Sequence, residues 1–215
     1  MIPMKDLPQW DDGEESANMF SHLIGMVLSF FGVLLFIIQD MKKHDTYRLI
    51  GNLVFGISMI ILYSTSTLYH GIEKISWKRV FRYGDHISIY LLIAGSYTPF
   101  TLTVLRPTIG WVVLIVIWSI AAIGIFLKIM YFDGFNKLSL VFYIVMGWTV
   151  MFSIKKVVET VPPTGVYWLV AGGVYYTFGT FFFSRDDSIP FAHAIWHLFV
   201  LAGTCSHFVS TYYYL

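Results

Sequence analysis

Apolar tracts of membrane-crossing length recur along this 215-residue chain and leave few folds open to it. A hydrocarbon core ~30 Å thick is crossed by a helix of about 20 residues. Seven such tracts can be drawn, at about 19–39, 47–69, 84–104, 108–127, 136–154, 165–183 and 189–212. In lipid, each backbone N–H and C=O must be bonded within the protein, so tracts of this length become helices. Charged residues make up 13% of the chain, about half the share of an ordinary soluble domain. The short connections leave no room for a second folding unit. The expected fold is an all-α membrane protein, a seven-transmembrane helix bundle spanning 19–215 behind an acidic amino-terminal segment at 1–18.

That first segment carries Asp6, Asp11, Asp12, Glu14 and Glu15 against Lys5. A secretory signal begins basic and then turns apolar, so the first tract is expected to stay as an anchor. Positive residues favour the cytoplasm. With the N-terminus inside, the inner connections hold eight of them (Lys5, Lys74, Lys78, Arg79, Arg82, Lys128, Lys137 and Arg185). The outer ones hold six (Lys42, Lys43, Arg48, Arg106, Lys155 and Lys156). The bias is small but favours a cytoplasmic N-terminus and an outside C-terminus. The lone cysteine, Cys205, allows no intrachain disulfide and is expected to be a small buried packing residue.

Ionisable side chains at membrane depth are costly and point to function. His193 and His197, in HAIWH, open the seventh tract four residues apart. On a helix, that spacing stacks both rings on one face. The starts of odd segments and the ends of even ones share a membrane face. His70 closes the second tract, Asp85 opens the third and His22 lies near the start of the first, so all five fall on one side.

Three imidazoles and an open position make a catalytic zinc site, and His70, His193 and His197 would supply the three. Zinc lowers the pKa of a bound water towards ~7. Asp85 would orient that water and take its proton. Ser66, one turn before His70, would donate to a developing oxyanion or hold the water. Taken singly, each residue has an ordinary explanation: a packed histidine, an interfacial carboxylate beside Arg82, a serine bonded to its own helix. The case rests on the set.

Further along α-helical geometry, His207 lies 14 residues past His193, about 21 Å away at helical rise, too far to join the site. It is expected to be a buried, hydrogen-bonded histidine. His86 should point away from Asp85 and lie at the interface, and His44 should be solvated. Other membrane classes fit less well. A retinal protein needs a lysine in its last helix, and the seventh tract has none. A b-type haem would leave Asp85 and one histidine unused. A channel would show repeated charge rings, and a transporter internal repeats; neither is evident.

Four stretches also carry a resemblance: EESANMFSHLIG at 14–25, STSTLYH at 64–70, GDHISIYLLIAGSYTPF at 84–100 and HAIWH at 193–197. Together they resemble the hemolysin III family, which belongs with the progestin and adipoQ receptors in a superfamily that includes alkaline ceramidases. The resemblance implies a seven-helix bundle with a cytoplasmic N-terminus and a zinc near that side. It maps the family's SxxxH onto Ser66 and His70, its aspartate onto Asp85, and its HxxxH onto His193 and His197. In the receptors, the three histidines bind zinc and the aspartate holds the water. The bacterial branch's E-x-x-N-x-x-S-H pattern reads Glu15, Asn18, Ser21 and His22 here. Glu15 or Asn18 would cap the helix. His22 would sit beside the ligands, because three histidines and a water already fill a four-coordinate site.

Two functions of different class follow. One is a zinc-dependent hydrolase of a lipid amide or ester, its substrate entering sideways from the bilayer. The other is non-enzymatic: a pore-forming hemolysin, or a receptor-like protein with structural zinc. The compact chain lacks a long amphipathic insertion element, which argues against a secreted toxin. The expected setting is a bacterial cell membrane, with membrane lipids as partners and no nucleic acid.

Overall fold

The computed structural model describes residues 10–132, 134–186 and 188–215, without the side chains of Asn136 and Lys137. Positions 1–9, with Lys5 and Asp6, and the side chain of Lys137 lie outside the described residues. Among those described there are helices and no strands. They are α1 (Asp12–Lys43), α2 (Thr46–Gly71), α3 (Ile75–Leu102), α4 (Gly110–Met130), α5 (Asn136–Trp148), a 3-10 turn (Thr149–Phe152), α6 (Ile154–Thr160), α7 (Pro163–Phe183) and α8 (Ala192–Tyr214). Each expected tract coincides with a helix or, at 136–154, with the broken pair α5 and α6. The acidic residues from Asp12 onward belong to α1 itself, which runs unbroken into the first apolar tract.

Five helices (α1, α2, α4, α7 and α8) are long and apolar enough to cross a membrane. A sixth span arises if Leu138–Phe152 and Ile154–Thr160, bent by 57°, are counted together. At 28 residues α3 has the length, but Lys78, Arg79, Arg82, Asp85 and a run of hydroxyl residues lower its apolarity.

Local chemistry explains the ends. Asp11 caps α1 by accepting from the Glu14 N–H at 2.7 Å, and three acidic residues occupy the first turn, where the helix dipole favours negative charge. His44 closes that helix in the left-handed conformation, and Asp45 caps α2 by accepting from Tyr47 and Arg48 N–H groups. His44 is exposed, as expected. The tight α1–α2 turn is clamped from inside. Asp40 accepts from Arg48 Nε at 2.6 Å and from Asn52 Nδ2 at 2.6 Å, with all three residues buried.

α2 packs between α1 and α3, while α8 packs against α1, α3 and α7. The central core joins Phe36, Phe55, Met59, Tyr63, Trp196 and Val200. Gly25 permits one close approach there: a Cβ would come within 2.6 Å of the Tyr63 ring. By contrast, α5 and α6 touch α7 lightly. The outward faces are apolar, as at Phe31, Ile115, Phe152 and Phe178, which suits lipid rather than water. Cys205 departs from expectation. It is exposed on the outer face of α8, because the inward positions around it are taken by Gly203, Thr204 and Ser206.

Candidate metal centre

The carboxyl end of α2 and the amino ends of α1 and α8 converge at one end of the bundle. His70 is the penultimate residue of α2, and His193 is the second residue of α8. His70, His193 and His197 are buried, and each offers a nitrogen within 4.8 Å of those of the other two. Helix parity anticipated the shared face. Contact between the rings is a result of the packing.

Each ring is held by its Nδ1. Glu15 Oε2 accepts from His70 Nδ1 at 2.6 Å, and Asp186 Oδ2 accepts from His193 Nδ1 at 3.3 Å. His197 Nδ1 lies 3.1 Å from the Asn18 carbonyl oxygen and 3.0 Å from the Ser21 hydroxyl. A carbonyl and a carboxylate only accept, so all three rings carry their proton on Nδ1 and keep the Nε2 lone pair. Nε2 of His70 and of His193 is buried with no hydrogen-bond partner among the described residues. A buried polar atom left unpaired costs about 1–3 kcal/mol. A metal ion shared by the three rings would remove that cost, and carboxylate or carbonyl partners on Nδ1 are the usual support of a ligating histidine. The residues present fit a zinc ion.

Neither Glu15 nor Asn18 caps the helix, because Asp11 does and both lie inside α1; the second Glu15 oxygen instead accepts from Lys78 Nζ at 2.6 Å, tying α1 to α3. Asn18 contributes through its backbone carbonyl. The ring of His22 stacks on that of His197, with centroids 3.5 Å apart and planes 14° apart, and meets Tyr63 edge-on. It lies beside the cluster and outside the set of three. Asp186 had no sequence signal, because it lies in the α7–α8 connection, outside any helical period.

Asp85 is buried on α3 and lines a cavity shared with His22, His193 and His197. Ser66 is wholly buried on α2, and its hydroxyl faces Asp85 without closing a hydrogen bond to it. The cavity has a volume of about 150 Å³, and its walls are mostly apolar. It extends past Trp196 and Val200 to His207. Fourteen helical residues separate His193 from His207, so the cavity reaches about 21 Å from the histidine cluster. His207 is hydrogen-bonded as expected, through Nε2 to the Leu169 carbonyl at 3.2 Å. His86 lies in the cavity wall, edge-on to Phe132.

Trp148, Met151 and Val170 line this cavity and are also 43–53% exposed on the outer surface. The cavity therefore opens sideways, between the α5 end with its 3-10 turn and α7. A hydrogen bond from Trp148 Nε1 to Thr177 Oγ1 at 3.2 Å bridges that opening.

Comparison with known proteins agrees with this architecture. A family described as "Haemolysin-III related" matches residues 12–208. Hemolysin-3 of Bacillus cereus is 42% identical over 202 residues, covering 94% of this chain and 92% of that protein. A Hemolysin-3 homolog of Bacillus subtilis (strain 168) is 39% identical over 201 residues, covering 94% of each. The human Monocyte to macrophage differentiation factor is 33% identical over 216 residues, covering 94% of this chain and 84% of its own, in keeping with kinship to the progestin and adipoQ receptors. No solved structure matches. The candidate spans and the bacterial relatives make this a multi-pass membrane protein of bacterial kind. Matched along nearly its whole length, the chain belongs to the haemolysin-III-related family.

Proposed function

We propose that this protein is a zinc-dependent hydrolase of a lipid amide or ester, with His70, His193 and His197 holding the ion through Nε2. The observation that carries the reading is continuity: His193 and His197 of the cluster line one end of an apolar cavity that opens on the side of the bundle, beside Trp148. A structural zinc needs no such cavity. A bound zinc would supply a Lewis acid and a water acidic enough to attack near neutral pH.

The protein's own groups divide the remaining work. Asp85, in the cavity wall, orients the attacking water and takes its proton. Ser66 donates its hydroxyl hydrogen to Asp85 or to the developing oxyanion. Glu15, Asp186 and the Asn18 carbonyl keep the rings in the binding tautomer. The apolar wall takes the hydrocarbon chain and keeps bulk water away. The opening beside Trp148 admits the lipid from the membrane. On this reading, α3 is the seventh span, flanked by α2 and α4. The charge bias of the connections sets the N-terminus and the histidine cluster on the cytoplasmic side and the C-terminus outside.

The names of the bacterial relatives favour a second reading, cytolysis by pore formation. Purified protein assayed on a lipid panel, with a chelator-treated control, separates the two. Release of a fatty acid that the chelator abolishes supports the hydrolase. Leakage of liposomes by a protein that hydrolyses none of the panel overturns it.

A further inference from the structure

We propose that Trp10, held over the histidine cluster by the first turn of α1, is a cap that separates the metal centre from the aqueous phase. The proposal rests on the three-histidine zinc reading and adds the control of metal exchange. His70 and His193 sit at the ends of their helices, where water would ordinarily reach them. The indole of Trp10 covers both. Its ring centroid lies 5.3 Å from that of His70 and 4.8 Å from that of His193, at tilts of 49° and 42°. It also meets Tyr69 edge-on at 6.2 Å.

The segment bearing Trp10 is fastened at two points. Asp11 caps α1, as described, and the Phe191 N–H donates to Glu14 Oε1 at 2.5 Å, which ties α1 to the residue before α8. Phe191 is one of two non-glycine residues with positive φ among those described, at 58°, a conformation that L side chains rarely adopt. The Glu14 contact supports that turn and holds the start of α8 against α1. Ala192 and His193 follow directly, so the strap and the ligand are set by one junction. An apolar ring against two imidazoles excludes water from one side of the centre, while the cavity serves the other. Metal would leave toward the aqueous side only when Trp10 swings away, whereas a lipid substrate need not displace it.

The test uses the full-length protein in lipid nanodiscs, loaded with zinc and then challenged with EDTA, with residual zinc followed by atomic emission. Trp10→Ala should start with the same zinc content as wild type and lose it about tenfold faster or more, the scale of effects from residues that support metal ligands. Trp10→Phe should lose it at nearly the wild-type rate, and Glu14→Ala should be faster than wild type. The thermal unfolding midpoint of each zinc-loaded variant distinguishes a cap from general loosening: it should stay at the wild-type value for Trp10→Ala. Equal rates for wild type and Trp10→Ala overturn the cap while leaving the three-histidine site intact. A faster rate accompanied by a lowered midpoint also overturns it. A wild-type protein that takes up no zinc overturns the site and the cap with it.

Discussion

Glu15 and His70 stand 55 residues apart in sequence, yet the glutamate Oε2 lies 2.6 Å from the ring Nδ1. The carboxylate fixes the imidazole tautomer and leaves the buried Nε2 lone pair available to a metal. The same glutamate binds Lys78, so one side chain joins α1, α2 and α3 at the metal centre.

Glu15→Gln should keep all three ligands and weaken zinc binding by about 10- to 100-fold, because a neutral amide makes the ring a poorer ligand. Competition against a zinc indicator dye measures this. Asp186→Asn should cost less, since its contact with His193 is longer at 3.3 Å. If Glu15→Gln binds as tightly as wild type, the glutamate does not support the ligand.

Asp85→Ala should retain about one zinc per chain and lower lipid turnover by about 10²- to 10⁴-fold, the usual contribution of a general base. Metal analysis and the turnover assay must be run on the same preparation. Full activity in this variant would remove Asp85 from the reaction.

Replacing the three histidines together should abolish zinc binding, whereas His22→Ala should leave about one zinc per chain. Retention of wild-type stoichiometry in the triple variant would place the metal elsewhere.

Gly147 and Gly173 line the cavity, and a Cβ built on either meets nothing within 4 Å. Gly173→Leu should therefore fold normally and reduce hydrolysis of long-chain substrates more than that of short-chain ones. Comparing acyl lengths at fixed headgroup reads this out. An equal effect on all lengths would mean that the chain does not lie along this wall.

Asp40→Ala should destabilise the protein by about 3–5 kcal/mol, because it leaves Arg48 buried without its carboxylate. Unfolding in a detergent series measures the loss. Zinc content per folded chain should not change, since this clamp lies at the far end of α1 from Asn18 and His22.

The sequence by itself determined the helices and the face on which the ionisable residues lie. Backbone groups in lipid must bond within their own segment, so an apolar tract becomes a helix, and chain alternation then assigns each helix end to a side. That argument brought His70, His193, His197, Asp85 and His22 to one level. It could not say which helices are neighbours. Helices apolar on every side carry no amphipathic stripe, so the pairing of α1 with α8 and the sideways opening near Trp148 were invisible in the pattern. Nor did periodicity anticipate Asp186, which lies in a connection, or the exposure of Cys205 and the cavity-facing His86. The tertiary structure decided those, together with the tautomer of each ring. Tautomers depend on hydrogen-bond partners from other segments, such as Glu15 on His70 and Asn18 on His197, and these meet only when the helices pack.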